Sequence, residues 1–123
     1  MPAQTNTKKV AAYAVGDTAP PLRMQLQDEN GVGIDLTGHQ VFIEIAYASW
    51  SFYYSPTERI VDAECTVEVG TDGWVQYTPL STDLTIAGEF QYRYRIEYLG
   101  GAIQHVPPDS SLPMYVSAVT GGG

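Results

Sequence analysis

The sequence predicts an all-β, antiparallel β-sandwich of about seven strands, and three observations carry that expectation. Apolar residues recur every second position through most of the 123 residues. Turn-forming Gly, Pro, Asn and Asp punctuate those runs at short intervals. Helical periodicity is missing: residues 81–87 come nearest, but Thr85 and Ile86 are poor helix formers and Gly88 follows at once.

The strands follow in chain order. Leu22, Met24 and Leu26 alternate with Arg23, Gln25 and Gln27. Val41, Ile43, Ile45 and Tyr47 make a second apolar face, and Val61, Ala63, Cys65, Val67 and Val69 a third, set against Asp62, Glu64, Thr66 and Glu68. The longest run places Phe90, Tyr92, Tyr94, Ile96 and Tyr98 on one side and Gln91, Arg93, Arg95 and Glu97 on the other, which no helix can do. Shorter strands are expected over residues 74–78, 102–106 and 114–119. The turns Asp28-Glu29-Asn30-Gly31, Gly70-Thr71-Asp72-Gly73 and Gly100-Gly101 supply residues that tolerate positive φ. Residues 81–87 are read as a single 3₁₀ turn or a corner between sheets. About seven short strands at this spacing point to the immunoglobulin type of sandwich, with a small barrel as the alternative. The chain divides into an N-terminal arm (residues 1–14), the sandwich domain (15–119) and a glycine tail (120–123).

Composition narrows the function classes. Fourteen Asp and Glu stand against six Lys and Arg, a net charge of −8. Such a surface repels phosphate backbones and anionic membranes, so neither a nucleic-acid partner nor membrane insertion is expected. The lone cysteine, Cys65, excludes an intrachain disulfide and multi-cysteine zinc sites, and fits a reducing cytosol. Lys8-Lys9 precedes only a short apolar run, so no signal peptide is read there.

The residues offer no catalytic constellation. His39 follows a Thr-Gly turn and His105 precedes Pro107-Pro108; neither accompanies a nucleophile motif. Cys65 lies on an apolar strand face, where an inert buried thiol is expected. Asp62, Glu64 and Glu68 read as a solvated acidic strand face that discourages edge aggregation. The segment beginning at Asp28 is no calcium loop, because Val32 occupies a ligand position and His39 stands where the loop needs Glu. Gly31-Val32-Gly33 has neither the third glycine nor the helix of a phosphate loop, so no cofactor and no metal are expected.

One segment is left over. Residues 48–56 hold Trp50, Phe52, Tyr53 and Tyr54 without a charge. They cap an end of the sandwich, extend a hairpin, meet a protein partner or stack on a sugar. Trp and Tyr suit both kinds of contact, but no His, Asp or Glu interleaves to bind sugar hydroxyls, which favours a protein interface. The polar arm ending in Lys8 and Lys9 is the candidate tether to neighbours.

Motif order then supports a family resemblance. Val15-Gly16-Asp17-Thr18, Pro21-Leu22, the turn at Asp28, Ile34-Asp35-Leu36-Thr37-Gly38, Gly73-Trp74-Val75 and Ala87-Gly88-Glu89-Phe90 follow one another, with a Pro pair before the last strand. The arrangement resembles the N-terminal immunoglobulin-like domain of tailed-phage baseplate upper proteins. The resemblance implies a non-enzymatic virion protein, assembled in the bacterial host cytoplasm, whose partners are other virion proteins and copies of itself. The C-terminal region with which that family carries receptor-binding proteins does not follow residue 119. A tail or baseplate component is therefore one expectation, and a neck or capsid decoration protein the alternative. A carbohydrate-binding module for host glycans is the expectation from another class.

Overall fold

Period-two alternation gives each strand one apolar face, and two sheets bury those faces against each other. The structure is a computed structural model and describes residues 3–7, 10–50, 59–69, 71–108 and 110–118. Among these residues there is no helix, and the strands are β1 (Gln4–Thr5), β2 (Ala11–Ala14), β3 (Leu22–Gln27), β4 (Gln40–Tyr47), β5 (Val61–Glu64), β6 (Thr66–Val69), β7 (Trp74–Tyr77), β8 (Gly88–Glu97), β9 (Ile103–Val106) and β10 (Leu112–Ser117). One sheet has the order β1-β3-β7-β6 and the other β2-β10-β8-β4-β5, with β9 paired to β8. The first is the A-B-E-D order of an immunoglobulin domain, and the second contains G-F-C with an added C′ strand. The fold is thus the expected immunoglobulin-like sandwich.

The strand number is higher than the expected seven because segments cross from sheet to sheet. The run from Val61 to Val69 does not form one strand. It breaks at Cys65, whose N–H donates to the Val41 carbonyl at 2.7 Å, so β5 joins the larger sheet and β6 the smaller one. Residues assigned to the N-terminal arm also contribute a strand to each sheet. β1 runs antiparallel to β3, whereas β2 runs parallel to β10, so the sandwich is not wholly antiparallel.

The core is assembled from the predicted faces. Val41, Ile43 and Ile45 of β4, Phe90, Tyr92, Tyr94 and Ile96 of β8, and Leu22, Met24 and Leu26 of β3 are all buried. Residues 81–87 form turns, and Leu84 from this corner is buried as well. Tyrosines take an unusual share of the interior. The Tyr13 hydroxyl donates to the Pro20 carbonyl at 2.8 Å and that of Tyr77 to Asp83 Oδ2 at 2.9 Å. The Tyr94 hydroxyl is buried with no hydrogen-bond partner among the described residues.

Gly73 closes the β6–β7 turn where the two chain segments touch. Its φ is 78°, and a Cβ there would lie 2.3 Å from the Leu26 carbonyl oxygen and 2.8 Å from the Ile34 nitrogen. Those atoms already bond each other, Ile34 N–H donating to Leu26 O at 2.9 Å. Gly73→Ala is expected to cost about 2–5 kcal/mol, combining left-handed strain of roughly 1–2 kcal/mol with roughly 1–3 kcal/mol of overpacking. The midpoint of urea unfolding measures it.

Candidate functional site

The candidate contact end begins where β4 stops. Tyr47 closes the strand and the chain turns, with Trp50 N–H donating to the Tyr47 carbonyl at 3.0 Å and Ala48 N–H to the Glu89 carbonyl at 3.1 Å. The Gln91 side-chain amide bonds the Tyr47 carbonyl at 2.9 Å and also the Trp50 carbonyl. Ser111 Oγ donates to Gln91 Oε1 at 2.6 Å and so holds that amide in place. The rings form a ladder: Trp50 meets Tyr47 edge-on at 4.8 Å, and Tyr47 stacks on Phe90 at 5.3 Å. Phe90 is buried in the core, Tyr47 and Trp50 only partly. An aromatic anchored at its inner edge and open at its outer edge is a preorganised contact surface. Phe52, Tyr53 and Tyr54, and likewise Lys8 and Lys9, lie outside the described residues. Alternation puts Gln91, which aligns this end, on the strand face away from Phe90 and Tyr92, and nothing local in the sequence marks it as a partner of Trp50.

That same outer face of the larger sheet holds a second feature absent from the sequence reading. Glu44 is only 1% exposed and Arg93 only 4%. Pairing of β4 with β8 sets Glu44 opposite Arg93 and Phe42 opposite Arg95, and pairing of β8 with β9 sets Arg95 opposite His105. Glu44 Oε1 accepts from Arg93 Nε at 2.8 Å, and Glu44 Oε2 accepts from Arg95 Nη1 at 2.5 Å. Arg95 also reaches Asp62 at 3.1 Å and Glu97 at 2.8 Å, while its guanidinium lies 4.5 Å over the Phe42 ring. Arg59 joins through Asp62 at 3.0 Å. Burial alone would lower the Arg95 pKa, but its bonds to Glu44 and Glu97 and the nearby Asp62 carry it upward. His105 Nε2 stands 3.8 Å from Glu44 Oε1; burial, then the positive charge of Arg93, push its pKa below the ordinary value. Three guanidinium groups thus meet the carboxylates of Glu44, Asp62 and Glu97. The chemistry of this cluster is mutual neutralisation, and its role is to brace the sheet.

The remaining candidates are structural too. His39 Nδ1 accepts from Leu99 N–H at 3.0 Å, and its ring packs edge-on to Tyr98 at 4.8 Å. Cys65 is buried, and burial, reinforced by Glu64, pushes its thiol pKa up to about 12. Asp28 Oδ1 accepts from Asn30 N–H and Val32 N–H, so the turn consumes it. Among the described residues no three His, Cys, Asp or Glu side chains converge to hold a metal ion. The three acids expected on one strand face are divided: Asp62 belongs to the arginine cluster, Glu64 accepts from Gln40 at 3.3 Å, and Glu68 pairs with Arg23 at 2.8 Å on the other sheet. The residues that carry the family resemblance build turns. Asp17 Oδ2 accepts from Ala14 N–H at 2.9 Å, and Asp35 Oδ1 from Thr37 N–H at 3.0 Å.

No family model matches the chain, and no curated protein matches it significantly. Among solved structures, the chain is similar to the crystal structure of CopC from Methylosinus trichosporium OB3b. That similarity covers 90% of this chain and 86% of that chain at 11% identity, with a TM-score of 0.48.

Proposed function

We propose that this chain is a non-enzymatic structural module of a tailed-phage particle, acting in the tail or baseplate through protein–protein contact centred on Trp50. The observation that carries the contact reading is the Trp50–Tyr47–Phe90 ladder, half-open to solvent and fixed by Gln91. Its continuation in sequence supplies Phe52, Tyr53 and Tyr54 without a charge. Large rigid aromatics in that setting are the residue types that dominate interface energetics. The non-enzymatic reading is supported by the roles of the groups that could do chemistry. His39 and Asp28 brace turns, Cys65 is buried, and Glu44 is neutralised by arginines. The phage assignment rests on the order of the turn motifs at Asp17, Asp35 and Gly88; a neck or capsid decoration protein has the same support.

The test compares the native chain with a Trp50→Ala/Tyr53→Ala double variant by sedimentation velocity. The native chain is expected to self-associate or to bind purified particles of its phage. The variant is expected to lose about 30-fold in affinity, the equivalent of about 2 kcal/mol for a hot-spot aromatic, with an unchanged near-ultraviolet circular dichroism spectrum. Unaltered assembly in the variant overturns the contact reading. Glycan-array binding that the same variant abolishes, without any assembly, assigns the surface to carbohydrate instead.

A further inference from the structure

Asparagine followed by glycine can convert itself without an enzyme, because glycine presents the least hindered backbone nitrogen to the asparagine side chain. The chain holds two asparagines, Asn6 and Asn30, and one aspartate that precedes a glycine, Asp72. Asn30-Gly31 and Asp72-Gly73 look alike in sequence, and the structure separates them. Asn6 is clamped by Gln25: its N–H donates to the Gln25 carbonyl at 2.9 Å, its Oδ1 accepts the Gln25 N–H at 3.0 Å, and β-branched Thr7 follows it. The Asp72–Gly73 peptide is clamped as well. The Asp72 carbonyl accepts from Gln25 Nε2 at 2.9 Å, the Gly73 carbonyl accepts from Leu26 N–H at 2.8 Å, and Gly73 itself is buried.

Asn30 has neither restraint. Its side chain is exposed and makes no hydrogen bond among the described residues. Gly31 is exposed too, and even an added Cβ there would meet nothing closer than 3.8 Å. What holds the segment is its own turn. The Asp28 carbonyl accepts Gly31 N–H at 3.1 Å, and Asp28 Oδ1 accepts Asn30 N–H at 2.8 Å and Val32 N–H at 3.0 Å. Asn30 is therefore the third residue of the turn. No described non-glycine residue has a positive φ, so the turn is type I and the Asn30 ψ is about 0°. Gly31 N then points away from the Asn30 side chain, and ring closure waits until the turn opens and the Asn30 Cα–C bond rotates. Residues 29–32 are all exposed, so that opening breaks a few hydrogen bonds and uncovers no core.

We propose that Asn30 is a self-modification site, which converts to isoaspartate and aspartate through a cyclic imide formed with Gly31. Hydroxide takes the Gly31 amide proton. The nitrogen attacks Asn30 Cγ, the new N–Cγ bond closes a five-membered ring, and the Cγ–Nδ2 bond breaks with release of ammonia. Water then opens the imide at either carbonyl. Opening at Cγ leaves aspartate, and opening at the backbone carbonyl leaves isoaspartate, whose chain runs through Cγ. Nothing is oxidised or reduced. Either product adds one negative charge beside Asp28 and Glu29, taking the net charge from −8 to −9. Isoaspartate also lengthens the turn by one backbone carbon, so the bonds from Gly31 and Val32 to Asp28 fall out of register. A shared groove places the turn beside Tyr98, just past the end of β8, whereas Phe90 and Trp50 lie at its start. The inference stands independently of the contact assigned to Trp50.

The experiment incubates the full chain in alkaline buffer made with heavy-oxygen water and maps its peptides by mass spectrometry. Opening of an imide leaves a heavy oxygen at the residue that formed it, whether asparagine or aspartate. Label should accumulate at Asn30, with isoaspartate among the products, and stay at least about ten-fold lower at Asn6 and Asp72. A free peptide covering residues 27–33, with blocked ends, should react about ten-fold or more faster than the folded chain, because it has no turn to open. Asn30→Gln, which would need a six-membered ring, should cut the label by about ten-fold or more and leave the fold unchanged. In the isoaspartate form, separated by anion exchange, the Gly31 and Val32 amides should exchange with solvent about ten-fold or more faster. Absence of label at Asn30 once the free peptide has reacted, equal label at Asn6 or Asp72, or equal rates in the peptide and the folded chain would each overturn the proposal.

Discussion

Raising the pH from about 10 to about 12 is expected to unfold the protein cooperatively. Tyr13, Tyr77, Tyr92 and Tyr94 are buried in the core. Burial raises all four pKa values: Tyr13, with help from Asp17, is pushed up to about 12, and Tyr77, Tyr92 and Tyr94 go higher. In the unfolded chain the same phenols ionise near pH 10. Between those values the unfolded state binds fewer protons than the folded one, so stability is fully present below about pH 10 and falls as pH rises. Each group contributes a slope of about 1.4 kcal/mol per pH unit. Four together give about 5–6 kcal/mol per unit, comparable to the whole stability of a typical domain. The phenolate absorbance that these four contribute at 295 nm should therefore rise in one steep step that coincides with loss of far-ultraviolet dichroism. A gradual titration of every tyrosine with the dichroism intact would refute the burial of this cluster. Tyr94→Phe should move the midpoint to higher pH, since it removes one titrating phenol. It also deletes a buried hydroxyl that has no partner among the described residues, a gain of about 1 kcal/mol or more.

The second large effect is expected at Glu44. Its carboxylate receives Arg93 on one oxygen and Arg95 on the other, in a setting where Glu44 and Arg93 are almost completely excluded from water. Glu44→Gln removes the charge and leaves two guanidinium groups in the sheet face without it. The expected loss is about 3–5 kcal/mol, because breaking a buried ion pair exposes the desolvation cost of the remaining ions. A Glu44→Leu/Arg93→Met double variant should recover most of that loss, since it removes charges of both signs and keeps the volume. Urea unfolding of the three proteins measures the coupling. Additive losses in the double variant would mean that the two side chains do not act as a pair.

The apolar faces of β3, β4 and β8 were legible, because the alternation of Leu22, Met24 and Leu26, or of Phe90, Tyr92, Tyr94 and Ile96, depends only on strand geometry. Turn positions such as Gly73 were legible for a similar reason, since few residues tolerate positive φ. The break at Cys65 was not. Its alternation runs unbroken from Val61 to Val69, and only the bonding of β5 to β4 and of β6 to β7 divides it between sheets.

Arg93 and Arg95 show the same limit at the candidate site. Period-two reasoning assigns them to the face away from the core, and they do point there. Whether that face meets water depends on the neighbours that register places beside it, namely Glu44, Asp62, Phe42 and His105, which come from three other strands. The aromatic excess divides likewise. Local pattern sends Tyr92 and Tyr94 inward, whereas Trp50 acquires its orientation from Gln91, 41 positions away. By itself the sequence determined an acidic, all-β chain with inward tyrosines and glycine turns, because composition, side-chain alternation and backbone sterics are local properties. The tertiary structure alone decided sheet membership and the buried arginine–glutamate cluster. Each of these depends on which distant strands lie next to one another.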